Sequence, residues 1–202
     1  MSVAEPRRIA LFRHAKADWP PVADHERPLS ERGRQDAPVA GRKLADTGIS
    51  FDMALCSTAT RTRETWKLAV HALPQRPKTV YEERIYEASP GELITLLNET
   101  PDDVRNLILV GHNPGIHGLA EVLCGSAEGD ARERMNRRGF PAAAFALVSF
   151  DGSWKALEPG VGRPGTRGCP AASRGRVPRG HGGSRVLLSP PPARPPPRPL
   201  PG

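Results

Sequence analysis

The sequence predicts an α/β fold, a three-layer sandwich in which a mostly parallel central sheet is covered by helices on both faces. First, strand-like and helix-like segments alternate along the chain, a pattern typical of parallel sheets. Second, the segment NLILVG at 106–111 holds four consecutive aliphatic residues, as expected for a strand buried on both faces. Third, 202 residues are enough for one domain with a hydrophobic core.

The strands are marked by short apolar runs that are bounded by polar or turn-forming residues. Trp154 closes the last of them. We predict strands at 8–12, 51–56, 79–82, 106–111 and 142–150.

The first helix follows a polar, proline-containing loop at 15–29. Ser30 can cap a helix that runs to about Asp46, with Gly48 just past its end. Pro38 interrupts the helical pattern, so we expect it to kink this helix or to delay its start.

Three more helices alternate with the remaining strands. One is predicted at 59–71. Another starts at 89–92, where Ser-Pro-Gly-Glu provides a capping serine, a proline at the first helical position and a glutamate at the third. The last follows the strand at 106–111 and runs to about Cys124.

The end of the chain has a different composition from the rest. Residues 159–202 hold 12 of the 23 prolines, 9 of the 20 glycines and eight arginines, with no aspartate, glutamate or lysine. Because these arginines contribute +8 to a net charge of +7, residues 1–158 carry about −1. We therefore predict one domain at 1–158 and a disordered tail without packed structure at 159–202. The domain itself is not expected to bind nucleic acid.

Three explanations of the tail remain open. Its abrupt loss of acidic residues resembles translation of GC-rich DNA in a shifted frame, which would begin near residue 164. It could also be a natural disordered tail. A third possibility is a basic, proline-rich segment that binds acidic partners or polyproline-reading modules.

Cysteine usage and the N-terminus indicate the compartment. Cys56, Cys124 and Cys169 show no paired or metal-like spacing, which fits a reducing cytoplasm. The start MSVAEPRR has no apolar signal-peptide core, and no apolar run approaches the length of a membrane span. We expect a cytoplasmic monomer without membrane contact.

Charged and polar residues follow four of the predicted strands. They are Arg13–His14, residues 57–61, Glu82–Glu83 and His112. Because ligands bind beyond the carboxyl ends of strands in such sheets, these segments are expected to meet on one rim.

These residue types suit phosphoryl transfer. Arg13 and Arg61 offer forked donors that match phosphate oxygens, and a helix starting near Ala59 adds backbone N–H groups. A neutral imidazole such as His14 can attack phosphorus and carry the phosphoryl group. His112 can stabilise the transferring group, and no metal or cofactor is needed because these side chains supply the positive charge.

Taken singly, each of these residues has an ordinary explanation. Arg13 and His14 could be a surface pair, His112 a loop residue that caps the next helix, and Arg61 a solvated helix arginine. Their joint placement after strands favours a site. The remaining histidines lack that placement and are expected to be structural or solvent-facing; they are His25, His71, His117 and His181.

Four motifs together resemble one family. Residues 13–15 (RHA) resemble the RHG signature of the histidine phosphatase (phosphoglycerate mutase-like) superfamily, with alanine in place of its usual glycine. Residues 27–33 (RPLSERG), 57–65 (STATRTRET) and 110–114 (VGHNP) resemble its other motifs. The short length and residues 85–93 (IYEASPGEL) resemble the SixA-type branch of phosphohistidine phosphatases. The resemblance covers roughly residues 7–162.

The resemblance implies a role for each matching residue. His14 is the implied nucleophile, Arg13 and Arg61 are implied phosphate clamps, and His112 is the implied second pocket histidine. Asn113 is expected to help bind the substrate.

The proton donor is less well defined by the resemblance. Glu83, at the end of the third strand, is the residue that lies where mutase-like members of the family place their proton donor. The other carboxylates considered are Glu82, Glu87 and Asp18.

The expected function is metal-independent hydrolysis of phosphohistidine, in a protein or a related phosphoramidate, through a covalent phosphohistidine intermediate. The partner would be a phosphorylated protein or a small phosphorylated substrate. Two alternatives remain: a small-molecule phosphomonoesterase with the same chemistry, and a phosphate-binding module with weak catalysis. Mutase activity is disfavoured because the domain shows no further basic segment for a second phosphate.

Overall fold

The computed structural model describes residues 6–124, 140–160 and 187–188. Its strands and helices alternate in chain order, with short 3₁₀ turns between several of them. The strands are β1 (Arg7–Arg13), β2 (Met53–Ser57), β3 (Lys78–Glu82), β4 (Asn106–Gly111), β5 (Phe145–Phe150) and β6 (Leu187–Leu188). The helices are α1 (Glu31–Ala45), α2 (Thr60–Ala69), α3 (Pro90–Asn98) and α4 (Gly115–Cys124).

The strands form one sheet in the order β3-β2-β4-β1-β5-β6. The four strands from β3 to β1 run parallel, whereas β5 is antiparallel to β1 and β6 is antiparallel to β5. The mostly parallel sheet predicted from the sequence is confirmed.

The two faces of the sheet build two separate cores. Since side chains alternate along a strand, Ile9 and Leu11 of β1 pack in one core with α3 and α4. Ala10 and Phe12 pack in the other, with α1 and α2. All four of these side chains are fully buried. The helices on both faces complete the predicted three layers.

Helix α1 begins where its cap predicts. The Ser30 hydroxyl accepts a hydrogen bond from the N–H of Gly33 at 3.2 Å, and the helix starts at Glu31. It continues through Pro38, so the expectation of a delayed start is wrong. Gly48 follows the helix with a φ of 69°, a conformation that glycine adopts without strain.

Strand β5 starts later than the sequence pattern predicts. The pattern assigns residues 142–144 to the strand, but Ala143 has a φ of 60°, which is incompatible with extended backbone. Its N–H donates to the carbonyl of His14 at 3.1 Å. The turn at Ala143 therefore supports the end of β1.

Only small parts of the tail are described. Gly160 donates its N–H to the carbonyl of Val122 at 3.1 Å, and residues 187–188 form β6 against β5. This pairing differs from the expected absence of packed structure at those two residues. The rest of that prediction lies outside the described residues. No helix in the described ranges is long and apolar enough to cross a membrane.

Candidate active site

The register of β1 and β4 brings the candidate residues His14 and His112 together. Arg13 of β1 pairs with Gly111 of β4 in a parallel ladder, and each is followed directly by a histidine. The N–H of His14 donates to the carbonyl of Gly111 at 3.1 Å. The rings of His14 and His112 lie with their centroids 5.2 Å apart and their planes at 57°.

One hydrogen bond defines the protonation pattern of His14. Its Nδ1 lies 2.7 Å from the carbonyl oxygen of Ala15. Because a carbonyl can only accept, Nδ1 carries the proton in the neutral ring and Nε2 keeps its lone pair. The backbone of Ala15 is itself held, since its N–H donates to Oγ1 of Thr65 at 3.0 Å.

Burial keeps His14 neutral. Desolvation lowers its pKa to about 4, against an opposing contribution from the Ala15 hydrogen bond. The charges of Arg61, Arg13 and Arg27 act on the pKa in the same direction as burial. At neutral pH the ring is thus an uncharged base surrounded by guanidinium groups.

His112 is buried more deeply, with 8% of its surface exposed. Its Nε2 lies 2.8 Å from Oγ of Ser57, at the end of β2. Burial, followed by the influence of His14, lowers its pKa to about 3. Its Nδ1 is buried and has no hydrogen-bond partner among the described residues.

Arg61 lies in the first turn of α2, which begins just after β2. Its guanidinium is held by one residue: Nη1 donates to the carbonyl of Asp24 at 2.5 Å, and Nη2 donates to Oδ2 of the same residue at 2.8 Å. Arg61 is 7% exposed, so the alternative of a solvated helix arginine does not apply.

Arg13 and Asn113 meet at one carbonyl. Nη1 of Arg13 donates to the carbonyl of Phe140 at 2.5 Å, and Nδ2 of Asn113 donates to it at 3.0 Å. Nε of Arg13 and Oδ1 of Asn113 are buried without a partner in the described part of the chain. The two candidate phosphate-binding side chains are therefore held by the same hydrogen-bond acceptor.

Three residues that sequence reasoning did not assign to the site adjoin it. The ring of Tyr86 meets the ring of His112 edge-on, with centroids 5.4 Å apart, and its hydroxyl donates to Oδ2 of Asp24 at 2.7 Å. His25 packs its ring edge-on against Tyr86 at 4.9 Å and lies 3.0 Å from Oγ1 of Thr58. His25 is part of the wall beside the site, and no sequence pattern marked it.

Glu83 is exposed and begins the 3₁₀ turn that follows β3. No side-chain hydrogen bond or ion pair joins it to His14 or His112 in the described ranges. The carboxylate of Glu82 is bonded to Arg84 and not to the histidines. It accepts hydrogen bonds from the backbone N–H and the guanidinium of Arg84 at 3.0–3.1 Å. Those bonds lower its pKa and keep it ionised.

The two other carboxylates also have positions away from the histidines. Asp18 accepts from the backbone N–H of Trp19 at 3.0 Å. Glu87 is exposed, in a left-handed backbone conformation with a φ of 57°. Neither contributes a described hydrogen bond to the histidine pair.

The donor set resembles an oxyanion site more than a metal site. Guanidinium and imidazole groups surround His14, and guanidinium groups repel cations. Within the described residues, no group of three or more histidine, cysteine or carboxylate side chains could hold a metal ion.

Comparison with known proteins agrees with these motifs. The sequence profile of the histidine phosphatase superfamily (branch 1) matches residues 9–106. An uncharacterized protein of Mycobacterium tuberculosis is 40% identical over 152 residues, which are 74% of this chain and 93% of that protein.

Solved structures agree as well. A candidate phosphohistidine phosphatase SixA from Agrobacterium tumefaciens is 31% identical with a TM-score of 0.65, covering 73% of this chain and 94% of that chain. Another from Nakamurella multipartitia is 26% identical with a TM-score of 0.71, covering 93% and 98%. By motif, fold and relatives alike, this chain belongs to the histidine phosphatase superfamily and to its SixA-type branch.

Proposed function

We propose that this protein hydrolyses phosphohistidine, in a protein or a related phosphoramidate, through a phosphoryl group carried on His14. The observation that carries the proposal is Nε2 of His14, which has no hydrogen-bond partner among the residues that the structure describes. It belongs to a neutral ring whose Nδ1 is committed to Ala15 at 2.7 Å, and the centre of that ring lies 5.2 Å from the centre of the His112 ring. A neutral imidazole with a free lone pair is a competent nucleophile toward phosphorus.

The reaction takes two displacement steps. The substrate ring is protonated on its other nitrogen. Nε2 of His14 attacks phosphorus while the phosphorus–nitrogen bond of the substrate breaks, and the electron pair of that bond leaves with the substrate imidazole, which departs as a neutral ring. Water then attacks the phosphoryl group on His14. The second phosphorus–nitrogen bond breaks, its electron pair returns to Nε2, and inorganic phosphate and a proton are released.

Four side chains would bind the phosphoryl oxygens. Arg13 and Arg61 supply charged donors, Asn113 supplies an amide, and His112 supplies the ring nitrogen that is buried without a partner among the described residues. The charge on the oxygens is spread in the transition state of phosphoryl transfer, so fixed donors around them lower the barrier.

The surroundings of the site favour an imidazole leaving group. Asp24 and Glu82 have lowered pKa values because of their hydrogen bonds to neighbouring side chains, so both are ionised and cannot protonate a leaving group at neutral pH. A departing alkoxide needs a proton donor, whereas an imidazole leaves as a neutral ring once its phosphorylated form is protonated. The two similar solved structures are named as candidate phosphohistidine phosphatases, and phosphohistidine is the substrate proposed here.

The test compares wild type with His14→Asn on a phosphohistidine-containing protein and on an aryl phosphate. We expect turnover to fall by about a thousandfold or more and a phosphoryl group to map to His14 by mass spectrometry of protein quenched under alkaline conditions. The control is His71→Asn, which alters an exposed histidine bonded to Arg76 and should retain activity.

Retained turnover by His14→Asn, or a phosphoryl group on another residue, contradicts the proposal. Faster turnover of sugar phosphates than of phosphohistidine favours the small-molecule phosphomonoesterase. Binding of phosphate without turnover of either substrate favours a phosphate-binding module.

A further inference from the structure

A single carboxylate connects most of the groups around the candidate site. Asp24 begins the 3₁₀ turn at Asp24–Glu26, in the loop between β1 and α1. Its Oδ1 accepts from Nη1 of Arg27 at 2.8 Å. Its Oδ2 accepts from Nη2 of Arg61 at 2.8 Å and from the hydroxyl of Tyr86 at 2.7 Å. Three side chains from three segments thus converge on it.

Both described hydrogen bonds of the Arg61 guanidinium go to Asp24, one to its carbonyl and one to its carboxylate. Arginine has five N–H donors, so the two bonds to Asp24 do not use all of them. A long side chain that is free in solution loses rotational freedom when it binds. Arg61 has already lost that freedom before any anion arrives.

The same carboxylate orients the wall next to His112. Its bond to the hydroxyl of Tyr86 fixes one end of that ring, while the ring itself meets the ring of His112 at 88°. The guanidinium carbon of Arg61 lies 5.7 Å from the centre of the Tyr86 ring. Asp24 therefore braces two groups that both adjoin the pocket.

Asp24 is ionised throughout the neutral range. Hydrogen bonds from Tyr86 and Arg27, followed by that from Arg61, hold its pKa well below the usual range of a carboxyl group, although burial opposes them. The carboxylate is 48% exposed, so its role depends on directed hydrogen bonds more than on desolvation.

We propose that Asp24 is a positioning residue that fixes the guanidinium of Arg61 and the ring of Tyr86 for binding of the phosphoryl group. This inference rests on the proposed function, in which Arg61 binds that group. Asp24 acts through its neighbours and does not touch the substrate.

An opposite role for Asp24 makes a contrasting prediction. A carboxylate bound to Arg61 could instead compete with the substrate for that arginine. Removing its charge would then strengthen anion binding, because Coulomb repulsion of the anion would be lost. If Asp24 positions Arg61, removing its carboxylate weakens anion binding even though the site becomes more positive. An increase or a decrease in anion affinity therefore distinguishes the two roles.

The experiment measures the binding of orthovanadate to the full chain by calorimetry, in the absence of any substrate. The variants are Asp24→Asn, Arg61→Gln, the double variant, and Glu26→Gln as a control that removes an exposed carboxylate of the same turn. We expect Asp24→Asn to weaken binding about tenfold and Glu26→Gln to change it less than about twofold. The double variant should bind at most about threefold more weakly than Arg61→Gln, since only the bracing of Tyr86 is left for Asp24 to supply once Arg61 is gone.

Unchanged or tighter binding by Asp24→Asn overturns the proposal, as does a full additional loss in the Arg61→Gln background. If Asp24→Asn does not fold, Tyr86→Phe removes only the hydroxyl that donates to Asp24. We expect it to weaken orthovanadate binding about threefold, and an unchanged value overturns the proposal.

The proposed function can fail separately. Orthovanadate binding without phosphohistidine turnover overturns the proposed function and leaves the role of Asp24 to be judged by the same variants. A wild-type protein that binds no orthovanadate has no anion site, and both proposals are then wrong.

Discussion

The imidazole rings of His14 and His112 lie with their centroids 5.2 Å apart, and the register of two parallel strands sets that distance. Arg13 and Gly111 are the last register pair of β1 and β4, so the histidine after each strand is placed beside the other. Residues 98 positions apart in the chain are neighbours because backbone hydrogen bonds align the strands, and each histidine is anchored to the rim by its own main chain.

The first prediction concerns His112. Replacing it with Asn should lower kcat by about 100-fold to 1000-fold with a smaller effect on KM, because a donor directed at the transferring group is lost. Ser57→Ala removes only the hydroxyl that lies 2.8 Å from Nε2 and should cause a smaller loss. Steady-state kinetics on an aryl phosphate measures both. A KM effect alone from His112→Asn would show that His112 only binds the substrate.

The second prediction concerns the pH range in which His14 is a base. Burial lowers its pKa to about 4, so its neutral form should persist well below the pH at which an exposed histidine becomes protonated. An NMR titration that follows the Cε1 carbon of His14 checks this, with the denatured chain as the reference. A midpoint near that of the denatured chain would mean that the ring is not desolvated.

The same low pKa values of His14 and His112 predict how stability depends on pH. Both rings bind protons less readily when folded than when unfolded, so the unfolded state takes up more protons as the pH falls. Their contribution to stability is present above about 6.5, the unfolded value. It is lost as the pH falls toward the folded values of about 4 and about 3.

Urea unfolding at pH 7, 6 and 5 measures this effect. We expect the free energy of unfolding of the wild type to fall over this range. The fall should be shallower in the double variant His14→Asn, His112→Asn, because neither replacement titrates. Equal slopes for the two proteins would contradict the assignment of the effect to these rings.

The rim position of both histidines could be predicted from sequence because the apolar runs of β1 and β4 show where each strand ends. The register, and with it the spacing of the rings, follows from the parallel sheet. The cap at Ser30 was predicted for a similar reason: the groups involved are close in sequence, since Ser30 bonds to Gly33 three residues later.

Asp24 and His25 could not be predicted in the same way. They belong to the loop at 15–29, which has no periodicity, and their partners Arg61 and Tyr86 are 37 and 62 positions away from Asp24. A long-range hydrogen bond from a loop leaves no local pattern. The turn at Ala143 was missed because an alanine with positive φ is indistinguishable in sequence from an alanine in a strand.

The fourth prediction concerns Gly33, which packs against the residues that follow His14. A Cβ on Gly33 would lie 2.1 Å from the carbonyl oxygen of Lys16. That oxygen already accepts from the N–H and the hydroxyl of Ser30 at 2.9 and 3.0 Å, so it cannot move freely. Gly33→Ala should lower the free energy of unfolding by about 2 kcal/mol and disturb the residues that follow His14.

Gly91→Ala is the matched control for this substitution. Gly91 lies in the first turn of α3, and a Cβ added there would have nothing within 4 Å. Alanine should therefore leave stability unchanged or raise it by up to about 1 kcal/mol. Chemical denaturation compares the two variants. If Gly33→Ala is as stable as Gly91→Ala, the contact with Lys16 relaxes at little cost.

The last prediction concerns the proton donor. If Glu83 protonates leaving groups, its removal should matter most where the leaving group is a strong base. We expect Glu83→Gln to lower kcat/KM about tenfold or more on an alkyl phosphate and to change phosphohistidine turnover by less than about twofold, since imidazole leaves as a neutral ring. The measurement is kcat/KM for both substrates with wild type and variant. An equal loss on both would show that Glu83 supports the site generally, and no loss on either would remove it from the reaction.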